Sequence, residues 1–151
     1  MSKLYNGFAR VTVIMSGVDL LDANRKANDY DNSSNLAPYG HFFLVVQYDT
    51  SAPAAGVKVA ELYILPEDGS AGYPVGGDGT VGWDYDPQES LLVGSFVTRA
   101  ASTTATEPLV IPWVALSPKM RVVLKNTSGK TFEGASPNYF LYMKPLKFVA
   151  D

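Results

Sequence analysis

The 151-residue chain contains no cysteine and one histidine, His41. The absence of cysteine excludes disulfide bonds, thiolate nucleophiles and cysteine-based metal sites, because each requires the sulfur atom. A single histidine also excludes most zinc sites, which combine several imidazole or thiolate ligands. The chain therefore has to fold by hydrophobic burial, and a single domain of this length buries roughly two-thirds of the surface that its unfolded form exposes.

Charged residues are scarce, at 18% of the chain, while hydrophobic residues make up 46%. The 12 basic and 15 acidic residues give a net charge of −3. A protein that neutralises nucleic-acid phosphates needs a basic surface, so we expect no nucleic-acid partner. Protein surfaces that a neighbouring molecule covers are typically poor in charge. The composition therefore favours a homo-oligomer or a larger assembly.

Long hydrophobic runs are also absent. The amino-terminal residues MSKLYNGFARVTVIMSGVDLL include no apolar stretch long enough for a signal peptide or a membrane span. We expect a soluble, unprocessed protein with no membrane partner.

Strand patterns occupy most of the remaining sequence. The clearest is VKVAELYIL at 57–65, where both alternating sets of residues are largely apolar, as in a strand covered on both faces. Six further segments show apolar or β-branched character between turn signals: 8–15, 41–48, 91–99, 109–116, 120–126 and 138–143. In the first of these, alternation places Ala9, Val11, Val13 and Met15 on the interior face. Pro112 predicts an edge or bulged strand at 109–116, because proline cannot donate to a central ladder.

The segments between these strands have turn and loop character. Residues 126–129, Asn-Thr-Ser-Gly, predict a turn. Residues 17–38 are polar from Asp22 onward and predict a long loop or arm that can lie across a neighbouring subunit. Residues 69–87 contain six glycines and two prolines, which predicts an extended glycine-rich excursion.

Seven or eight short strands with no convincing helix predict an all-β fold. Apolar character on more than one face favours a two-sheet β-sandwich, with jelly-roll-like connectivity ahead of an immunoglobulin-like arrangement. The sequence shows no internal repeat and no domain boundary, so we expect one β-sandwich domain over residues 1–151.

Four segments together resemble small structural proteins of tailed bacteriophages: AELYILPEDGSAGYP at 60–74, LLVGSFVTRA at 91–100, MRVVLKNTSGKTF at 120–132 and FLYMKP at 140–145. The similarity is a pattern of strands and turns over about residues 57–145 and includes no catalytic motif. The chain departs from the family pattern in the polar segment before Pro38 and in the glycine loop that carries Trp83.

The resemblance implies a virion component, made in the host cytoplasm, that binds major capsid or tail proteins. A head decoration or cement protein and an accessory tail protein are both compatible with it. A carbohydrate-binding adhesion module is the alternative, with a glycan as the ligand, because a sandwich fold hosts either function.

Candidate chemical sites are weak. Asp78, Asp84 and Asp86 lie in the glycine-containing segment GDGTVGWDYD, but their spacing does not match a calcium loop. We therefore predict solvated turns and no metal or cofactor. His41 is the one candidate general base, and it has no cysteine or Gly-x-Ser-x-Gly serine to activate.

Acid pairs such as Glu61 with Glu89 or Glu107 suit glycoside hydrolysis only at a defined separation, which a sequence does not give. With no convergent set of catalytic groups, we predict that the protein is not an enzyme.

Aromatic residues in predicted loops are the candidate partner contacts, since such side chains anchor protein interfaces or stack on sugars. They are Trp83, Tyr85, Tyr73, Tyr39 and Tyr30. The alternative for each is to pack its own loop against the end of the sandwich, and for Trp83 the sequence favours the two equally. Trp83 is the first choice for a contact, because a bulky indole in a glycine-rich loop is unfavourable to leave exposed without a partner.

Overall fold

A computed structural model describes residues 2–5, 9–15, 17–34, 36–66, 91–99, 108–134 and 139–150. Nine strands lie in these ranges: β1 (Ser2–Tyr5), β2 (Val11–Met15), β3 (Arg25–Asp31), β4 (Tyr39–Val46), β5 (Lys58–Pro66), β6 (Leu92–Val97), β7 (Leu109–Ala115), β8 (Lys119–Asn126) and β9 (Tyr139–Ala150). The described residues form no α-helix, and the predicted all-β class is confirmed.

The strands form two antiparallel sheets that pack face to face. In the first sheet, β9, β4 and β7 lie side by side, and β1 and β2 pair with different parts of β9. The second sheet has the order β3-β8-β5-β6. The orders β2-β9-β4-β7 and β3-β8-β5-β6 are those of a jelly roll, in which the chain repeatedly crosses between sheets. The predicted jelly-roll-like sandwich is confirmed.

The hydrophobic core lies between the two sheets. Along β4, side chains alternate so that Phe42, Leu44 and Val46 are buried. Met120 and Val122 on β8 face them from the other sheet and are fully buried. Each large apolar side chain buried in this way contributes roughly 1.5–3 kcal/mol, so the alternation fixes which face of each strand turns inward.

Strand β5 is covered on both faces, as its sequence predicts. Leu62 and Ile64 belong to the core between the sheets. Tyr63 and Leu65 point the other way, yet they are only 5% and 0% exposed. They form a second apolar cluster on the outer side of the second sheet.

The predicted interior face of segment 8–15 is wrong at two positions, Ile14 and Ala9. The pairing of β2 with β9 shifts register between Thr12 and Ile14, which marks a β-bulge. The bulge buries both Val13 and Ile14, each 2% exposed, although strict alternation places Ile14 outside. Ala9, which alternation predicts to be interior, is exposed.

The predicted arm at 17–38 is also wrong over its central part. Residues 25–31 form β3, which pairs with β8 along its full length. The sequence RKANDYD has little intrinsic strand preference, so the pairing and the burial of Ala27 outweigh local propensity. The predicted glycine-rich excursion at 69–87 lies wholly outside the described residues.

Candidate partner-binding face

The outward side of the first sheet carries a row of apolar and aromatic side chains. Phe43 on β4 lies opposite Val110 on β7 and Tyr142 on β9, and all three point away from the core. We call the following set the outer aromatic face: Phe43, Val45, Val110, Trp113, Phe140 and Tyr142. Val110 is 51% exposed and Trp113 59% exposed, and the other four side chains are half-buried.

Stacking orders the β9 part of this face. The Phe140 and Tyr142 rings are nearly parallel, with an interplanar angle of 8° and centroids 5.5 Å apart. The Arg10 guanidinium carbon lies 4.0 Å from the centroid of the Tyr142 ring, a cation–π contact. These contacts hold two aromatic rings and a cation in fixed positions on the surface.

A β-bulge presents Trp113 at the edge of the sheet. In the register between β4 and β7, Pro112 and Trp113 together oppose the single residue His41. Trp113 has a φ of 58°, a left-handed conformation that is strained for a residue with a Cβ atom. The prediction that Pro112 creates an edge or bulged strand is confirmed, because β7 is both.

His41 stabilises the bulge. The Trp113 backbone N–H donates to His41 Nδ1 at 3.0 Å, and the two rings meet edge to face with centroids 4.8 Å apart. Partial burial lowers the pKa of His41, and the Lys144 ammonium on β9 lowers it further. His41 is therefore neutral at pH 7, with Nδ1 engaged as an acceptor, which is a structural role.

The charged side chains on the outer aromatic face are cationic. Arg10 and Lys144 lie on it, and its described residues include no aspartate or glutamate. A groove of about 380 Å³ extends the apolar surface around the sheet edge between β7 and β6. Phe43 and Val110 line both the face and the groove, and Val97 and Arg99 line its far side.

The outward side of the second sheet is different, because it carries ion pairs. Lys58 Nζ lies 2.6 Å from Glu61 Oε1, and the Arg121 guanidinium contacts both carboxylate oxygens of Asp29 at 2.7 and 3.2 Å. The Tyr63 hydroxyl donates to Glu61 at 2.6 Å. The apolar side chains Tyr63 and Leu65 on that side are buried, whereas Val110 and Trp113 on the first sheet are exposed.

The geometry of Glu61 argues against a role as a hydrolytic acid. Burial raises the pKa of Glu61, but hydrogen bonds from Lys58 and Tyr63 outweigh it, and the pKa lies below its usual range. A general acid needs the opposite shift. Its two suggested partners, Glu89 and Glu107, lie outside the described residues.

The predicted contact residues have different outcomes. Tyr30 and Tyr39 do not lie in loops: Tyr30 is in β3 and packs against the core, and Tyr39 begins β4 on the side of His41. Of these two residues, only Tyr39 lies on the same side of its sheet as the outer aromatic face. Trp83, Tyr85 and Tyr73, and likewise Asp78, Asp84 and Asp86, lie outside the described residues and remain predictions.

Sequence reasoning missed Trp113, although a signal was present. Pro112 marks an edge strand, and an aromatic residue next to such a proline stands where a bulge turns its side chain outward.

No protein-family model, curated protein or solved structure matches this chain. Within the described ranges, no helix has the length and apolar character needed to cross a membrane. The same residues hold no group of three or more histidine, cysteine, aspartate or glutamate side chains placed to bind a metal ion.

Proposed function

We propose that this protein is a bacteriophage virion structural protein, without catalysis, that assembles in several copies on the capsid or tail. It acts there as a decoration or cement protein or as a tail accessory. The observation that carries the proposal is the outer aromatic face, an exposed apolar surface on a jelly-roll sandwich whose other outer side carries ion pairs and a buried apolar cluster. The face binds a neighbouring protein of the particle.

The exposed area at Trp113 gives the scale of the attraction. An aromatic side chain of this size presents up to about 250 Å², so its exposed 59% is roughly 150 Å². Covering that area contributes up to about 3–4 kcal/mol at 25 cal/mol per Å². One such contact is modest, but many copies on a particle add through effective concentration.

The sequence pattern gives independent support. The segments that resemble phage structural proteins include β5, β6, β8 and the first half of β9, so the resemblance covers strands of both sheets. Jelly rolls occur in viral capsid proteins, although the fold alone does not fix a function.

The test is reconstitution on particles that lack the protein. Purified protein is mixed with such particles and imaged by electron microscopy, and density on the shell or at the tail locates it. Trp113→Ala is expected to reduce occupancy strongly. Leu36→Ala is the matched control, because Leu36 is likewise exposed, at 69%, with a positive φ of 48°, and is not part of the outer aromatic face.

An exposed indole also favours a second candidate function, a carbohydrate-binding adhesion module, since sugar rings stack on such side chains. A glycan array read with wild type, Trp113→Ala and Trp83→Ala separates the two functions. Glycan binding that either substitution abolishes, together with no density on particles, would favour the adhesion module and contradict the virion role.

A further inference from the structure

A second exposed apolar surface lies at one end of the sandwich. Val18 and Leu21 are 61% and 52% exposed, and each is followed in the sequence by an aspartate, Asp19 and Asp22 respectively. We call residues 17–24 the acidic knob.

Backbone hydrogen bonds hold the acidic knob in place. Leu20 is fully buried, and its N–H and C=O both pair with Phe132 at 2.9 Å. The Ala23 N–H donates to the Asn126 carbonyl, and the Asn126 N–H donates to the Asn24 carbonyl, both at 2.9 Å. The exposed pair is therefore presented by a fixed backbone, which limits the entropy lost when it binds.

Backbone N–H groups orient the two carboxylates. Asp19 Oδ1 accepts the Gly134 N–H at 2.8 Å, and Asp22 Oδ1 accepts the Gly129 N–H at 2.9 Å. The Tyr139 hydroxyl donates to the Val18 carbonyl at 3.2 Å.

The knob and the outer aromatic face are complementary. The knob joins two apolar side chains to two carboxylates, and the face joins aromatic side chains to the cations Arg10 and Lys144. The hydrogen bonds of the knob go to Phe132, Asn126, Gly129, Gly134 and Tyr139, none of which belongs to the outer aromatic face. A second copy is the partner that the charges and apolar surfaces fit.

We propose that the acidic knob of one copy docks on the outer aromatic face of the next, so that copies of this chain associate head to tail. The inference rests on the proposed function, since it names the neighbour that covers the face. A head-to-tail contact is heterologous: each copy offers one knob and one face, and the assembly closes into a ring or continues as a row.

Sedimentation velocity of the purified full chain tests the contact. Wild type is expected to assemble beyond a dimer as its concentration rises to about 0.1 mM, with weaker association at high salt because exposed ion pairs are screened. A face variant, Trp113→Ala with Lys144→Glu, and a knob variant, Leu21→Ser with Asp22→Asn, are each expected to weaken self-association at least about tenfold.

Mixing the two variants gives the sharpest result. The knob variant retains an intact face and the face variant retains an intact knob, so the mixture is expected to form a 1:1 dimer that does not grow. Leu36→Ala serves as the surface control and is expected to assemble like wild type. Far-UV circular dichroism and the urea midpoint establish that each variant is folded before its association is compared.

Three results would overturn the inference: a wild type that stays monomeric, a knob variant that assembles like wild type, or a variant mixture that forms no dimer. Failure of the inference differs from failure of the proposed function. Monomeric protein that still binds particles would refute the head-to-tail contact alone. Protein that self-associates as described but leaves particles bare would refute the virion role and retain the contact.

Discussion

Asn126 ties β8 to the acidic knob, and its replacement gives a quantitative test of the structure. The side chain is fully buried, and Nδ2 donates to the carbonyls of Leu20 at 2.9 Å and Lys130 at 2.7 Å. Oδ1 accepts the N–H and the hydroxyl of Ser128 at 2.9 and 2.7 Å. The N–H groups and the oxygen of the Asn126 side-chain amide therefore all have hydrogen-bond partners. A carboxylate lacks the N–H donors and an apolar side chain lacks both donors and acceptor, so neither replaces the amide.

Asn126→Asp keeps the shape and the acceptor but removes both donors. The carbonyls of Leu20 and Lys130 then face an oxygen instead of N–H groups. The Leu20 carbonyl keeps the Phe132 N–H and the Lys130 carbonyl keeps the Ser128 hydroxyl nearby, so each carbonyl loses one of its hydrogen bonds. At about 0.5–1.5 kcal/mol per hydrogen bond, the two losses together destabilise the fold by about 1–3 kcal/mol. The free-energy cost of burying the negative charge of the carboxylate away from water adds to this loss. A domain of this kind has about 5–15 kcal/mol in total, so the effect is large.

The loss depends on pH in a defined direction. Burial and the facing carbonyls raise the pKa of the introduced carboxyl above its unfolded value of about 3.9. Because the pKa of this carboxyl is higher in the folded state than in the unfolded state, Asn126→Asp is least destabilised below about pH 3.9. Its loss of stability then grows as pH rises through the pKa of the folded state.

Urea unfolding followed by far-UV circular dichroism measures the effect, with wild type and Asn126→Asp compared at several pH values. Asn28→Asp is the control, because Asn28 is exposed and donates one hydrogen bond, to the Val13 carbonyl at 2.6 Å. Its loss is expected to stay near 1 kcal/mol. A buried substitution no more damaging than this control would refute the reasoning about the amide.

Three further substitutions test other parts of the structure. Tyr48 is buried, its hydroxyl has no hydrogen-bond partner in the described part of the chain, and burial raises the pKa of Tyr48 to about 12. Tyr48→Phe should therefore leave the melting temperature unchanged or raise it by a few degrees, and a clear fall would contradict this. A Cβ at Gly134 overlaps the backbone of the acidic knob, whereas one at Gly17 meets nothing within 4 Å. Gly134→Ala should lower the urea midpoint strongly and Gly17→Ala should not, so similar midpoints would refute the packing. The lowered pKa of His41 gives stability that is present above about pH 6.5 and is lost as pH falls through the folded pKa. His41→Gln should remove that pH dependence from the melting temperature, and an unchanged profile would show that another group causes it.

Local patterns in the sequence predict some elements well. In β5, apolar residues occupy both alternating sets of positions, and this pattern correctly predicts a strand covered on both faces. Successive side chains of a strand point to opposite faces, so each set indicates the environment of one face. Pro112 correctly predicts an edge position, because the missing N–H is a local property that no tertiary contact restores.

Other elements depend on partners far away in the chain. Strand β3 pairs with β8, and the contact between Asp29 and Arg121 joins residues 92 positions apart. No local pattern in RKANDYD records that pairing. The extension of β9 beyond Met143 was also missed, since Lys144 and Pro145 interrupt its apolar pattern while the backbone continues opposite β4 and β1.

The candidate site shows the same division. Composition predicts a low-charge surface that a neighbour covers, but it does not say which face. The outward position of Trp113 depends on the register between β4 and β7, which places two residues opposite His41. Register is a non-local quantity, so the sequence points to aromatic contacts in general and not to this residue.

The central claim is that the outer aromatic face attaches this protein to its neighbours in a phage particle. The most direct measurement is cryo-electron microscopy of particles lacking the protein after they are mixed with wild type, Trp113→Ala or Leu36→Ala. The account predicts multi-copy density for wild type and Leu36→Ala, with the β2-β9-β4-β7 sheet turned toward a neighbouring subunit, and little density for Trp113→Ala. Particles that remain bare with wild type, or density in which that sheet faces solvent, would contradict it.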